Sequence, residues 1–256
     1  MKKLAKMILE KVNNKDNYIP NIINQYLSTT KLSKNQQECI IGALKKKISI
    51  FTGGPGTGKT TSIKELCKCL DKLNKTYILT SPTGKAAKRI SESTGREAKT
   101  IYRTLEYKTH GKFGNFQRNE KYKLYTNYII VDESSMLDVF VLNSLLKAIH
   151  ENTSIIFVGD VDQLPSVSMG SVFKDMKDSG LIPIFELTEV FRQGLDSDIV
   201  QNAYHVKNNE ELQLNNKDFY FEQINDISNV ENWLNKLKSE FLIICPMRVG
   251  SMGTIK

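Results

Sequence analysis

The chain has 256 residues, 40% of them hydrophobic, enough for one large domain or one domain plus part of another. No apolar run approaches the roughly 20 residues that cross a bilayer, and the charged, amphipathic start Met1–Glu10 has no apolar signal-peptide core; the expectation is a soluble cytoplasmic protein, which argues against membrane-embedded functions. The net charge is +8, and from Gly84 to Tyr125 eleven Lys and Arg stand against four Glu, an excess that suits either a polyanion such as nucleic acid or a solvated lysine-rich surface.

Apolar spacing predicts a helix over residues 2–12, with Leu4, Met7, Ile8 and Val12 in register. Ile19, Ile22, Ile23 and Tyr26 predict a second, with Pro20 in its first turn. A third opens at Leu32, where Ser33 and Gln36 have the spacing of a capping box. Gln36 has two roles open to it: that cap, or reading the adenine edge of a nucleotide held just downstream.

Ile48 to Phe51 reads as a short buried strand and Thr61 to Leu70 as a helix, with Ile63, Leu66, Cys67 and Leu70 on one face. Between them lies Gly53-Gly54-Pro55-Gly56-Thr57-Gly58-Lys59-Thr60, which fits G-x-x-x-x-G-K-[ST] in full. Gly54, Gly56 and Gly58 let the backbone curl so that its N–H groups, with that of Thr57, cradle phosphates. The next helix points its positive end, with Thr60 and Thr61, at the same anion. Lys59 reaches the outer phosphates, and the Thr60 hydroxyl suits Mg2+. This pattern predicts a nucleoside triphosphate site. Cys39, Cys67, Cys69 and Cys245 show no metal-type pairing and read as reduced packing cysteines.

A strand over 76–80 leads into Ser81-Pro82-Thr83-Gly84-Lys85 and a helix through Ile90. Hydroxyls and a helix start at a strand's carboxyl end suit a phosphate backbone, though an ordinary turn has the same composition. Thr100 caps a further helix start. Tyr107 to Tyr125 has no helical period and reads as an inserted β-hairpin turning at Gly111-Lys112-Phe113-Gly114. Phe113 and Phe116 are available to stack on a base or to pack the hairpin's own core.

Tyr128 to Val131 is an apolar strand ending in Asp132 and Glu133. In a nucleotide-hydrolysing fold Asp132 holds the metal and Glu133 polarises the attacking water. A helix runs on to about Ile149. A buried strand over 154–160 enters a loop on which Gln163 can sense the γ-phosphate. Ile184 to Leu187 is one more strand, followed by Arg192, placed to neutralise charge on the transferred phosphoryl group or to make a surface ion pair. Strands alternating with helices from 48 to 206 predict an α/β fold with a parallel sheet and its ligands at the strands' carboxyl ends. Beyond Val206 the pattern gives a short strand at 219–221, a helix over 230–237 and a strong strand at 241–248, which suggest the beginning of a second domain.

Taken in order, these motifs resemble superfamily-one DNA helicases of the RecD branch. Gly53–Thr60 is similar to motif I, 81–90 to motif Ia, 100–105 to motif Ib, 131–136 to motif II, 158–167 to motif III and 187–193 to motif IV. Residues 32–36 resemble the Q motif, 246–253 a segment just inside the second motor domain, and the hairpin a pin-like insertion. The resemblance implies a RecA-like P-loop NTPase fold: an N-terminal helical segment over 1–30, a first motor domain over 31–206 and an incomplete second one over 207–256. It implies ATP and Mg2+ as cofactors, 5′-to-3′ movement on single-stranded DNA, and a role in recombination or repair, with nuclease or helicase subunits of a RecBCD-type complex as partners. Lys59, Thr60, Asp132, Glu133, Gln163 and Arg192 would carry the ATP chemistry, and Pro82, Thr83, Lys85 and Thr100 would lie on DNA. Nothing matches motifs V and VI, so the expectation is a truncated motor that binds ATP and hydrolyses it poorly. The competing reading is a non-catalytic nucleotide- and DNA-binding module. A small-molecule kinase would not explain Asp132, Glu133, Gln163 and Arg192 together.

Overall fold

Neighbouring residues of a strand face opposite ways, and in this chain both faces are apolar. Ile48, Ile50, Ile129, Val131, Ile155 and Phe157 enter one core, while Phe51, Tyr128, Ile130, Ile156 and Val158 enter another. A sheet covered on both sides follows. The computed structural model describes residues 2–110, 113–191, 197–214, 217–221, 244, 247–249 and 253–255.

The strands β1 (Ile48–Gly53), β2 (Tyr77–Ser81), β3 (Ala98–Thr100), β6 (Tyr128–Val131), β7 (Ser154–Gly159) and β8 (Ile184–Leu187) form one sheet in the order β3-β2-β6-β7-β1-β8. Every pairing in it is parallel. The helices α2 (Asn21–Ser28), α3 (Lys34–Lys45), α4 (Lys59–Lys72) and α5 (Gly84–Thr94) supply Ile23, Leu27, Ile40, Leu66 and Ile90 to one core. The helices α1 (Lys2–Val12), α6 (Ile101–Thr104), α7 (Val139–Ala148) and α8 (Val172–Asp178) supply Leu4, Ile101, Leu142 and Phe173 to the other. The predicted α/β, RecA-like architecture is thus the observed one.

Local signals set most helix starts. The capping box at Ser33 and Gln36 is formed in both directions. Thr83, Thr100 and Asp138 each accept a backbone N–H three residues on, opening α5, α6 and α7. The start of α4 differs: no side chain caps it. Its first-turn N–H groups open onto the glycine-rich loop, which is what an anion site needs.

Several expectations need correction. Pro20 is the N-cap of α2 and not part of its first turn. β3 and α8 were not foreseen. The hairpin is small: β4 (Tyr107–His110) and β5 (Phe113–Phe116) pair with His110 opposite Phe113, so Phe113-Gly114 belongs to a strand and not to the turn, while Gly111-Lys112 lies outside the described residues. Phe116 is buried and packs; the Phe113 side chain lies outside the described set. Residues 219–221 form no strand. The expected helix over 230–237, and most of the strand over 241–248, also lie outside the described residues. Near the end, β9 (Met247–Val249) pairs in parallel with β10 (Gly253–Ile255).

Candidate functional site

Lys59 opens α4 directly behind the loop. Its Nζ is folded onto the loop's own carbonyls, donating to Gly53 O and, at 3.0 Å, to Gly54 O. Burial pushes its pKa down, while Asp160, Glu133 and Asp132 push it back up. A lysine partly stripped of water and facing three acids is held where phosphate oxygens would rest on the loop. Gly56 and Gly58 both have positive φ, 74° and 79°, a conformation that side chains with a Cβ resist. Thr57 is buried and its hydroxyl donates to Gly54 O at 2.9 Å, tying the curl together. Thr60 is half-buried and Thr61 exposed in the first turn of α4.

Gln36 is 2% exposed and engaged at both ends of its amide. Its Oε1 accepts from Ser33 N at 3.1 Å and its Nε2 donates to Thr57 O at 3.3 Å. The capping role is therefore realised, and the same side chain clamps the phosphate loop. The amide keeps a second N–H and a second lone pair, so the cap and the clamp leave the adenine-reading role open.

Asp132 follows β6, with its backbone N–H on Thr80 O at 2.9 Å. Burial, and then the neighbouring charge of Glu133, raise its pKa to about 6. Glu133 has left-handed backbone angles, φ 53° and ψ 43°. For a residue with a Cβ this costs on the order of 1–2 kcal/mol. The neighbouring Ser134 hydroxyl donates to Val131 O at 2.8 Å and holds the turn. Among the described residues no three His, Cys, Asp or Glu cluster to form a metal cage. One crowded, reluctantly charged carboxylate near a phosphate loop fits Mg2+, which is commonly held by one or two carboxylates together with substrate phosphates. Asp132 and Thr60 would hold it, and it would neutralise charge between the outer phosphates.

Gln163 lies on the loop after β7, and its Oε1 accepts from Ser135 Oγ at 3.4 Å. It borders two spaces. One, about 890 Å³, is shared with Gly54, Pro55, Asp160 and Tyr204. The other, about 660 Å³, is a groove shared with Pro82, Thr83, Tyr102 and Met136. Of the predicted nucleic-acid residues, Pro82 and Thr83 line that groove, while Lys85 and Thr100 do not. The hydroxyls of Thr83 and Thr100 are committed to capping. Arg192 lies outside the described residues.

Several site residues escaped the sequence reading. Asp160 is 4% exposed and is the acid that most favours the charge of Lys59; it repeats the strand-then-acid pattern of Val131-Asp132, which could have revealed it. Arg89, on α5, also acts electrostatically on both Lys59 and Asp132. Phe191 donates its backbone N–H to Gly56 O at 3.2 Å, with its ring beside Gly58. Helix α9 (Asp198–Lys207) straps the loop: Tyr204 OH donates to Pro55 O at 3.3 Å, and Lys207 pairs with Asp162 at 2.6 Å.

Comparison with known proteins agrees with this geometry. The family model described as an AAA domain matches residues 36–169. The ATP-dependent RecD2 DNA helicase of Deinococcus radiodurans is 36% identical over 179 residues, 70% of this chain and 24% of its own length. The RecBCD enzyme subunit RecD of Mycobacterium tuberculosis is 34% identical over 159 residues, 53% of this chain and 27% of its own. The chain thus spans about a quarter of these curated relatives. Among solved structures, the Pif1 helicase from Candida albicans shares the fold with a TM-score of 0.53 at 24% identity, over 70% of this chain and 44% of that one. A complete phosphate loop, a strand ending in Asp132-Glu133 and a glutamine between two clefts agree with these matches: the chain belongs to the AAA domain family, and its sequence is similar to RecD-type helicases.

Proposed function

We propose that this chain is the ATP-binding motor domain of a RecD-type DNA helicase. Lys59 and the loop amides take the phosphates, Thr60 and Asp132 take Mg2+, and Glu133 polarises the attacking water. Single-stranded DNA lies in the groove beside Pro82 and Thr83. The observation that carries the reading is the position of Gln163. One side chain borders both the groove and a space that reaches the phosphate loop at Gly54 and Pro55, which supports a link between the nucleotide and the strand.

Movement in the 5′-to-3′ direction and a recombination or repair role extend this reading through the motif resemblance alone, while assembly with nuclease or helicase subunits is supported by relatives named as RecBCD enzyme subunits. Arg192 would add a positive charge at the phosphates. The test is ATP hydrolysis with and without single-stranded DNA, alongside Glu133→Gln. The expected result is hydrolysis that DNA stimulates and that Glu133→Gln abolishes. Equal hydrolysis by the variant would remove Glu133 from its role, and indifference to DNA would remove the groove.

A further inference from the structure

Large apolar side chains usually leave the surface on folding, yet several stay outside around one groove. Tyr102 is 39% exposed, Met136 is 44% exposed, and Leu164 and Val167 are almost fully exposed. All four line the groove with Pro82 and Thr83. Tyr102 is also braced from behind. Its ring lies edge-on to Tyr107 at 5.1 Å and 5.3 Å from Phe116, which packs on Phe140 at 5.7 Å. Close approach of the Tyr107 ring at Gly114, where any Cβ would overlap it, fixes that brace. The Tyr102 hydroxyl makes no hydrogen bond among the described residues.

Among the described residues, no basic residue lines the groove itself. Its single acid, Asp138, is spent on capping α7 through Val141 N at 2.7 Å. Lys88 on α5, Arg96 just beyond it, Lys99 in β3 and Arg118 after β5 each pair with an acid. Lys85 and Arg103 are exposed and make no ion pair among the described residues. They sit close in sequence to Thr83 and Tyr102.

We propose that Tyr102 is a base-stacking side chain: its ring receives one unpaired base of a single-stranded nucleic acid whose phosphates pass Lys85 and Arg103. This rests on the groove reading above and adds the residue that holds a base. A flat, braced ring offers a π-face to any base without losing side-chain freedom. A duplex keeps its base faces stacked and cannot use it, so the occupant is single-stranded.

The test is anisotropy titration of the whole chain with oligothymidylate and with oligonucleotides carrying one abasic position moved stepwise along the strand. For the wild-type protein, affinity is expected to fall roughly 5- to 150-fold at one position. Tyr102→Leu should lose a similar factor on the intact strand and become insensitive to that abasic position, whereas Tyr102→Phe should keep both affinity and sensitivity. Nucleotide binding by each variant checks that the fold persists. If wild type binds the strand but Tyr102→Leu binds equally well, or still senses the abasic position, the stacking role is wrong and the groove stands. If wild type does not bind the strand at all, the groove reading fails and the stacking role with it.

Discussion

A Cβ placed on Gly58 would lie 2.5 Å from Gln36 Nε2. The helix before β1 therefore monitors the backbone of the phosphate loop through one amide. Gly58→Ala meets both this contact and a φ of 79°, a strain of about 1–3 kcal/mol. The expected outcome is a folded protein, lower in thermal midpoint, whose nucleotide affinity drops at least about tenfold by titration.

Lys59→Ala and Glu133→Gln should separate binding from chemistry. Lys59 touches the loop that receives the phosphates, so its loss should show first as weaker nucleotide binding. Glu133→Gln keeps size and shape and removes the base, so binding should persist while turnover falls about 10²- to 10⁴-fold. Single-turnover hydrolysis beside a binding titration distinguishes the two.

Asp132 gives a pH signature. Its folded pKa of about 6 lies above its ordinary value of 3.8, so the folded protein holds this proton more tightly than the unfolded chain does. The charged carboxylate is a burden on stability above about pH 6, relieved as pH falls from there toward 3.8. A cation bound by that carboxylate competes with the proton. Mg2+-dependent nucleotide affinity should therefore decline below pH 6, approaching tenfold per unit, and this limb should vanish in Asp132→Asn.

Lys11 should reveal itself at the other end of the scale. It is 7% exposed and donates to Glu151 O at 3.1 Å and Thr153 O at 2.7 Å. Burial, aided by Lys47 and Lys123, lowers its pKa from 10.5 to about 8. Between these values the unfolded chain binds the proton and the folded protein does not, so stability gains with rising pH from this group. Denaturant unfolding from pH 8 to 10 should show a rise, on the order of 1–3 kcal/mol, that is missing in Lys11→Met.

The sheet and the phosphate loop were legible because their signals are local. Apolar strands, Ser33 and Thr100 as caps, and the spacing of Gly53 to Thr60 each fit within a few residues. β3 was not legible: three residues including Lys99 carry no strand pattern, and only its place beside β2 makes it a strand. In α8 the apolar signal existed, at Val172, Phe173 and Met176, but its seven residues give the period too little length. The strap from Tyr204 to Pro55 joins residues 149 apart, a distance that no local pattern encodes. Gln36 was correctly ambiguous, since its spacing gives the cap and only the fold reveals the clamp on Thr57.

The order of strands also fixes when the molecule can assemble. β1 carries the phosphate loop, and its two neighbours are β7 and β8, with Ile48 beside Ile155 and Ile50 beside Ile184. Both edges of β1 wait for chain made more than a hundred residues later, and such distant pairings are slow to form. During synthesis the glycine loop leaves the ribosome early yet gains its shape late, so a nascent chain halted before residue 154 has the whole motif and no strand to seat it on.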